Sequence, residues 1–589
     1  MNAHLKLALK VVGILVLAAI FVYSVIGVVV YSSIGRFPVK PLPKALIGEL
    51  VWPTIGYPAL VAPGATLEAE VELVGGEHVP SVWTALITPV REALKPLTYR
   101  ITAAGARLAR SARWPAGTAR AGTVWHLRFD LPADTVPELY DVSVEWTSAD
   151  GKSDSDAQPH ALSVTDTDPE SFRFITLADV HVHQPDVSAT KATRSDKGIS
   201  PDGTPVFFEK AIEQVNLIRP DFVVILGDCV LAQRYAGEYA PEFEHFYRAL
   251  GRFAVPVFMV PGNHDCYVNG VDGARVWERS LGPLRYSFDV GSTHFTAMNT
   301  NDWPLEDRIV MDKLGLAFYP RKWQGQVLSA LNEYDPGTYR GQLAWARDDL
   351  AAHSGSRLRV MLMHHDPWMF GGKGTPYRNE RFYGLYSLGG DGVGRIAVRE
   401  LASRQHVGLV LDGHMHRDYL ASVSYADRSG ATTYACQNAV SFDEGGVSSS
   451  YPGYRLIDVE EGRLMRLTYL DDSSSIPFYK GSAPEGQTDR DSLETPALAT
   501  EGVLNTPSLW RVTSYLAEPI LLRGVVIAIP VEAGPEPGIS GAGVYRVVPI
   551  PGGTNELVYM ETLMPAAQGS ESSTSGTPAV QNIEVLPLR

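Results

Sequence analysis

Five short polar blocks, each directly after an apolar run, carry the residues that could do chemistry. The blocks are Asp179-Val180-His181-Val182-His183, Gly227-Asp228, Gly262-Asn263-His264-Asp265, His364-His365-Asp366 and Gly413-His414-Met415-His416. Carboxylates, imidazoles and one carboxamide, without a cysteine cluster, are ligands for divalent cations such as Mn²⁺, Fe or Zn²⁺. These ligands are too many for one tetrahedral zinc ion, whereas two metal ions that share a carboxylate would use them all.

The elements that must position these blocks are strands of an α/β domain. Apolar strands alternate with helical patterns from Ser171 to about Asp472, and each block follows a strand. The loops at the carboxyl ends of strands converge on one crevice in α/β sheets, so five distant loops can form one site. Within Asp179-x-His181, alternate residues of an extended segment point the same way and can contact one ion.

The order DxH, GD, GNHD, H and GHxH resembles that of the calcineurin-like metallophosphoesterase superfamily over about half of the chain. The segments IRPDFVVILGD, YSFDVGSTHFTAMNT and GQLAWARDDLAAH stand in family-like places. The resemblance implies a dinuclear centre with three sets of ligands. These are Asp179, His181 and His416 for the first ion, Asn263, His364 and His414 for the second, and Asp228 as the bridge. His364 is preferred to His365 because it directly ends the strand Arg359–Met363.

The same resemblance implies hydrolysis of a phosphoric ester, either a monoester or a diester, by a hydroxide that bridges the two metal ions. His264 is then the catalytic histidine, which stabilises charge or protonates the leaving alcohol. Asp265 is expected to orient the ring of His264. The substrate is expected to be a small-molecule or lipid phosphoester. The tyrosine of purple acid phosphatases is replaced here by Leu231, so no iron–tyrosinate colour is expected.

Two other functions are compatible with these residues. A non-catalytic cell-surface scaffold could use the metal site only to stiffen its fold, but such a protein needs neither His264 nor Asp265. A nuclease of the same superfamily is disfavoured by the net charge of −15 and the pI near 5.5, since an acidic surface repels phosphate backbones.

The expected fold is an α/β catalytic domain, built as a four-layer α/β/β/α sandwich, between N-terminal and C-terminal β-sandwich-like domains. Strict alternation in Leu67–Leu73 predicts half-buried strands before the catalytic domain. The predicted boundaries are 1–35 for a transmembrane anchor, 36–45 for a Pro-rich linker, 46–168 for a β-sandwich, 171–475 for the catalytic domain, 476–505 for a linker and 506–589 for a C-terminal β domain.

The residues from Val11 to Tyr31 include no charged side chain. A helix of that length spans about 30 Å, the thickness of a bilayer core. A cleaved signal peptide has a shorter apolar region of about 7–15 residues. We therefore expect a single-pass membrane protein. The positive charges on the two sides of the stretch are nearly balanced and leave its orientation open, whereas the large β domains outside a short anchor favour an extracytoplasmic catalytic domain. The three cysteines form no disulfide framework, and Cys229 and Cys266 are expected to pack as small apolar groups.

Overall fold

The computed structural model describes residues 10–22, 24–25, 48–73, 80–114, 123–165, 170–182, 206–231, 236–268, 271–300, 342–368, 370–371, 375–376, 393–441, 451–470, 474–480, 495–502, 509–530, 538–569 and 577–586. Residues 10–22 are helical, and several of their apolar side chains are exposed. Among the described residues, no helix combines the length and the apolar character that a membrane crossing requires. Most of the second half of the predicted span lies outside the described residues.

The described part of the N-terminal domain contains nine strands. They are β1 Gly48–Trp52, β2 Ala59–Val61, β3 Thr66–Leu73, β4 Pro80–Pro89, β5 Tyr99–Thr102, β6 Gly105–Arg110, β7 Thr123–Asp130, β8 Leu139–Ser148 and β9 Ser153–Val164, with a 3-10 helix at Glu92–Leu97. One sheet has the order β1-β3-β7-β6 and the other β2-β9-β8-β4-β5. The alternation in β3 buries Leu67, Ala69 and Val71 in the core of this domain.

The catalytic domain contains sixteen of the described strands. They are β10 Ser171–Leu177, β11 Phe222–Ile225, β12 Val257–Met259, β13 Tyr267–Val268, β14 Val271–Asp272, β15 Tyr286–Val290, β16 Thr293–Ala297, β17 Leu358–Leu362, β18 Phe370–Gly371, β19 Thr375–Pro376, β20 Leu409–Asp412, β21 Tyr419–Ser424, β22 Ala431–Cys436, β23 Gly453–Glu460, β24 Arg463–Arg466 and β25 Ile476–Pro477. Its described helices are α1 Val206–Ile218, α2 Ala236–Leu250, α3 Asn263–Cys266, α4 Gly273–Ser280, α5 Gln342–Ala352 and α6 Val393–Arg404.

Two mixed sheets pack face to face in this domain, with strand orders β12-β11-β10-β23-β24 and β15-β16-β17-β20-β22-β21. Alternate residues of β10 separate the layers: Phe174 lies edge-on to Phe295 of the other sheet, with ring centroids 5.6 Å apart, whereas Ile175 packs with the helices. Helix α1 covers the first sheet, and Leu350 of α5 packs against the second. The predicted four-layer order is therefore present.

The residues described in the C-terminal domain include seven strands: β26 Leu498–Gly502, β27 Leu509–Ser514, β28 Ile520–Pro530, β29 Gly538–Ser540, β30 Gly543–Pro549, β31 Asn555–Met564 and β32 Ala579–Leu586. They make two sheets, β26-β27-β32-β29 and β28-β31-β30. The predicted linker 476–505 is wrong at both ends, because β25 pairs with β23 and β26 pairs with β27. Both strands lie at the ends of their pairing networks and lack the alternation by which strands are recognised in sequence.

Glu138 connects the three domains. Its carboxylate accepts hydrogen bonds from Arg91 Nε at 2.9 Å, from Arg219 of the catalytic domain at 3.1 Å and from the Tyr559 hydroxyl of the C-terminal domain at 2.5 Å. Burial alone would raise the pKa of this carboxyl. The two guanidinium groups have the larger effect, and they lower the pKa to about 2. A second close contact lies nearby, where Gly524 of β28 meets the backbone of Asn216 and Leu217 in α1.

Candidate metal centre

The five blocks lie at the carboxyl ends of strands from both sheets. Asp179, Asp228 and Asn263 follow β10, β11 and β12, which are parallel neighbours in the first sheet. His364 and His414 follow β17 and β20, which are parallel neighbours in the second sheet. Because the two sheets pack face to face, their loops meet at one edge of the sandwich, as the sequence predicts.

Asp179, His181 and His416 form one group of donor atoms. One atom from each of these residues lies within 4.8 Å of the other two. Asp179 Oδ1 is 3.2 Å from His416 Nε2, and the rings of His181 and His416 have centroids 5.1 Å apart. This group contains all three ligands predicted for the first ion.

Asp228 joins that group to the second one. Its Oδ2 atom lies 3.3 Å from His181 Nε2 and 3.1 Å from His364 Nε2. His364 Nε2 is in turn 3.1 Å from Asn263 Oδ1, and the ring of His414 lies 5.1 Å from that of His364. All seven predicted ligands are therefore brought together, with the Asp228 carboxylate between the two groups.

Each central carboxylate has one oxygen held by a backbone amide. The amide of His414 donates to Asp179 Oδ2 at 2.9 Å, and the amide of His264 donates to Asp228 Oδ1 at 2.9 Å. The other oxygen of each carboxylate faces imidazole nitrogens. Asp179 Oδ1 is buried and accepts no well-aligned hydrogen bond within the described part of the chain. A buried anionic oxygen left in this way suits a cation.

The histidine rings are turned so that Nε2 faces the carboxylates. His364 Nδ1 donates to the Leu226 carbonyl at 2.7 Å, and His181 Nδ1 lies 3.3 Å from Ser441 Oγ. An imidazole that ligates a metal through one nitrogen usually donates the other N–H to an oxygen acceptor, which fixes its tautomer. The residues present therefore fit divalent metal ions.

Residues 172–418 match the family model described as calcineurin-like phosphoesterase, and these residues include every predicted site residue. This domain is a calcineurin-like phosphoesterase domain. The chain is therefore a phosphoester hydrolase, and the family implies divalent metal ions as its cofactors. A search of curated proteins gave no match.

Two solved structures are similar over most of their length at low identity. A purple acid phosphatase from yellow lupin (Lupinus luteus) seeds is 14% identical, with 71% of this chain and 76% of that one covered and a TM-score of 0.38. A family 123 glycoside hydrolase from Clostridium perfringens is 12% identical, with 61% and 62% covered and a TM-score of 0.13. Both TM-scores are below 0.5.

His264 lies at the mouth of the calcineurin-like site. Its Nε2 is 3.8 Å from Asp228 Oδ2, and its side chain is 12% exposed, whereas that of His364 is fully buried. Its Nδ1 donates to the Leu231 carbonyl at 2.8 Å, and this carbonyl therefore holds the ring. His264 is thus placed to exchange a proton with a group that enters from solvent.

The orienting role predicted for Asp265 is wrong. The Asp265 carboxylate accepts hydrogen bonds from the amides of Cys229 at 2.9 Å, Val230 at 3.3 Å and Gly262 at 2.8 Å. Asp265 and His264 are neighbours on the short helix α3, and neighbouring helical side chains point about 100° apart. Asp265 instead ties the loop after β11 to the loop after β12.

Charge in the calcineurin-like site is divided unequally. Burial raises the pKa of Asp228, but His364 and His264 lower it well below its ordinary value. The pKa of His364 rises to about 9 because Asp228 outweighs its burial, and that of His414 falls to about 3 through burial and the nearby His364. Burial and Asp228 raise the pKa of Asp265 to about 6. His414 is therefore neutral, with a lone pair available to a cation.

The backbone of the predicted ligands is strained. The described chain has eleven non-glycine residues with positive φ, and five of them are predicted ligands: Asp179, His181, Asp228, His414 and His416. Their φ values lie between 49° and 65°, in the left-handed region that L-residues seldom adopt. Glycines fill the tightest places, since a Cβ on Gly262 would meet Asp228 Oδ1 and one on Gly413 would lie 2.7 Å from Asp179 Oδ2.

Sequence reasoning missed two supporting groups. Ser441 Oγ donates to the Asp179 carbonyl at 2.9 Å and lies beside His181, and the Leu231 carbonyl holds His264. A serine outside the five blocks and a backbone carbonyl leave no motif to find. His365, which was not chosen as a ligand, lies 2.6 Å from Thr300 Oγ1 through its Nδ1. His183 lies outside the described residues.

None of the three cysteines is in a disulfide, and all three are buried. Cys229 and Cys266 belong to the apolar core beneath the first sheet, which confirms the expectation that they pack as small apolar groups. Burial, with Asp265 close by, raises the pKa of the Cys229 thiol well above its ordinary value. This thiol is therefore protonated and is not placed as a nucleophile.

Proposed function

We propose that the chain hydrolyses phosphoric monoesters or diesters at a dinuclear centre, with Asp228 as the bridging ligand. The observation that carries this proposal is the position of Asp228 Oδ2, which faces His181 Nε2 of one group and His364 Nε2 of the other at 3.3 and 3.1 Å. A site for a single ion would need only one of these groups.

Asp179, His181 and His416 would hold one divalent ion, and Asn263, His364 and His414 the other. Nitrogen and oxygen donors without thiolates favour Mn²⁺, Fe or Zn²⁺. When bound, two such ions lower the pKa of a water molecule between them and polarise the phosphoryl oxygens. The chain contributes rigidity, because backbone amides fix both carboxylates and oxygen acceptors at Nδ1 fix two of the imidazoles.

His264 would protonate the leaving alcohol. Its Nδ1 proton is committed to the Leu231 carbonyl, so proton exchange takes place at Nε2, on the side that faces Asp228. Imidazole has a pKa near neutrality and can both donate and accept protons there. Asp265 would act indirectly, since it holds the loop that carries His264.

The substrate would be a small-molecule or lipid phosphoester, and the chain would be anchored in a membrane. The uncharged stretch from Val11 to Tyr31 supports an anchor, as does the helical conformation of residues 10–22 with their apolar side chains exposed. A catalytic domain on the extracytoplasmic side is part of this proposal. A lipid phosphoester would then be presented close to the site.

The test compares the full-length protein in detergent with two variants, His264→Asn and His406→Asn. His406 is an exposed histidine paired with Asp427 at 2.9 Å, which makes it a matched control. We expect Mn²⁺-dependent hydrolysis of an aryl phosphate, a bis-aryl phosphate or both, with a loss of about 10²–10⁴-fold in His264→Asn only. Metal content should be equal in all three proteins. Background rates in all of them would refute the proposal and favour a metal-stabilised scaffold.

A further inference from the structure

A second group of histidines and carboxylates lies at the opposite end of β16 from the phosphoesterase site. Asp289 of β15 and His294 of β16 are direct cross-strand partners, and His353 follows the last residue of α5. Thr300 follows the carboxyl end of β16 and contacts His365, so that end of the strand is the one near the phosphoesterase site. The group therefore shares no residue with the catalytic centre.

Both ring nitrogens of His294 contact carboxylates. Its Nε2 lies 2.9 Å from Asp349 Oδ2, and that carboxylate also accepts hydrogen bonds from Thr296 Oγ1 at 2.8 Å and Ser287 Oγ at 2.7 Å. A carboxylate that fixes one ring nitrogen of a histidine orients the other nitrogen and raises its basicity. The other nitrogen, Nδ1, donates to Asp289 Oδ1 at 2.7 Å, and a metal ion would take the place of that proton between the two groups.

His353 presents its remaining nitrogen to the same place. Its Nδ1 donates to the Asp349 carbonyl at 2.8 Å, so the Nε2 lone pair is the one available to a ligand. His353 Nε2 lies 3.9 Å from Asp289 Oδ2. One donor atom from each of Asp289, His294 and His353 lies within 4.8 Å of the other two. Two imidazoles and one carboxylate are a common ligand set for zinc with an open fourth position.

We propose that Asp289, His294 and His353 form a second metal site, selective for a borderline cation such as Zn²⁺ and separate from the phosphoesterase centre. The rings of His294 and His353 are stacked at 3.7 Å and 9°, so their lone pairs lie in parallel planes. Binding one ion requires one ring to turn. The ring that turns would be that of His353, which gives up its hydrogen bond to the Asp349 carbonyl, because its side chain is 34% exposed whereas that of His294 is fully buried.

The site would fasten the end of α5 to the edge of the second sheet. His353 belongs to the helical side of the contact and Asp289 to the edge strand β15. Asp349 of α5 already contacts Ser287 of β15 and His294 of β16. An ion shared by His353 and Asp289 would add a further link between the helix and the sheet. Three protein ligands leave a fourth position open, which water would fill.

The test uses full-length protein, with Zn²⁺ as the probe, in four forms: wild type, Asp289→Asn, His353→Asn and the control His406→Asn. The two site substitutions are on partly exposed side chains, which leaves the buried His294 in place. Each protein is equilibrated with excess Zn²⁺, freed of unbound metal by gel filtration and measured by plasma mass spectrometry. We expect about one zinc ion per chain fewer in each site variant than in wild type and the control.

Phosphoesterase activity should stay within about twofold of wild type in all three variants, since none of the changed residues touches the catalytic group. Far-UV circular dichroism checks that each variant is folded. Equal zinc content in the four proteins would overturn the proposal and leave His294 as a proton-bridged contact between two carboxylates. Loss of zinc together with loss of activity would also overturn it, because the two sites would then be one.

Discussion

Two buried carboxylates, Asp228 and Glu138, are stabilised as anions by different kinds of partner. Asp228 faces the imidazoles of His181 and His364, whereas Glu138 is bonded to the guanidinium groups of Arg91 and Arg219. The pKa of both carboxyls lies far below its ordinary value. The lowered pKa alone therefore does not distinguish a site of chemistry from a structural contact.

The partners do distinguish them. A guanidinium is always charged and cannot bind a metal, so the ion pairs of Glu138 can only hold the domains together. An imidazole can give up its proton and offer a lone pair to a cation, so the surroundings of Asp228 can be converted into a coordination shell. The comparison predicts that substitutions around Asp228 change activity, whereas substitutions around Glu138 change stability.

The largest effect is expected for Asp228→Asn. The carboxamide keeps the shape but has lost the charge that bridges the two groups, so activity should fall by about 10³-fold or more. Bound metal should fall with it. Steady-state hydrolysis of aryl phosphates and metal analysis measure the two effects, and Glu138→Gln is the matched control that should keep both. Full activity in Asp228→Asn would end the claim that this carboxylate bridges.

Glu138→Gln should reduce the free energy of unfolding by about 3 kcal/mol at pH 7, because it leaves two partly buried guanidinium groups without their anion. Activity should stay within about twofold. The pKa of Glu138 is lowered in the folded protein, so its contribution is complete above pH 4.5 and is lost as the pH falls towards 2. Denaturant unfolding of both proteins from pH 7 to 3 measures this. A stability difference that does not shrink on acidification would contradict the assignment.

Gly262→Ala should lower activity by about 10²-fold, because the added methyl group would displace Asp228 and small displacements of a reacting group cost about that much. Gly105→Ala on β6 is the control, since a Cβ there meets no atom within 4 Å. Kinetics and thermal unfolding of both variants separate misplacement from unfolding. An active Gly262→Ala would show that the loop after β12 can shift without effect.

Gly524→Ala should reduce stability by about 1–2 kcal/mol, the cost of forcing a methyl group into a closely packed contact. The new Cβ would lie 2.6 Å from Leu217 Cα in α1, so the C-terminal domain would have to move away. Gly543→Ala in the same domain, where the nearest atom is 3.9 Å away, is the control. Calorimetry is the measurement, and equal unfolding temperatures for the two variants would argue that α1 does not hold this domain in place.

Sequence patterns were sufficient where position along a strand decides the outcome. The strand pattern predicts His364 rather than His365 as a ligand because His364 is nearer the strand end, and the Nε2 atom of His364 faces Asp228. The layers of the catalytic domain followed from apolar strands that alternate with helices. These predictions rest on periodicity, which is a property of the chain itself.

The direction in which a side chain points within a turn could not be predicted in the same way. The sequence places Asp265 beside His264 but does not show that its carboxylate points to the amides of the adjoining loops. The Leu231 carbonyl that holds His264 has no sequence signature, since every residue has such a group. Strand β26 was missed because its partner β27, rather than its own pattern, makes it a strand.

The left-handed backbone at Asp179, His181, Asp228, His414 and His416 has a consequence for laboratory evolution. Glycine would relax each of these positions, and asparagine is tolerated there better than most residues. A selection for heat resistance alone would therefore favour replacements that erase the donors. Resistance to heat and turnover should trade against each other at these five residues, so a screen that rewards both is the one that would preserve the enzyme.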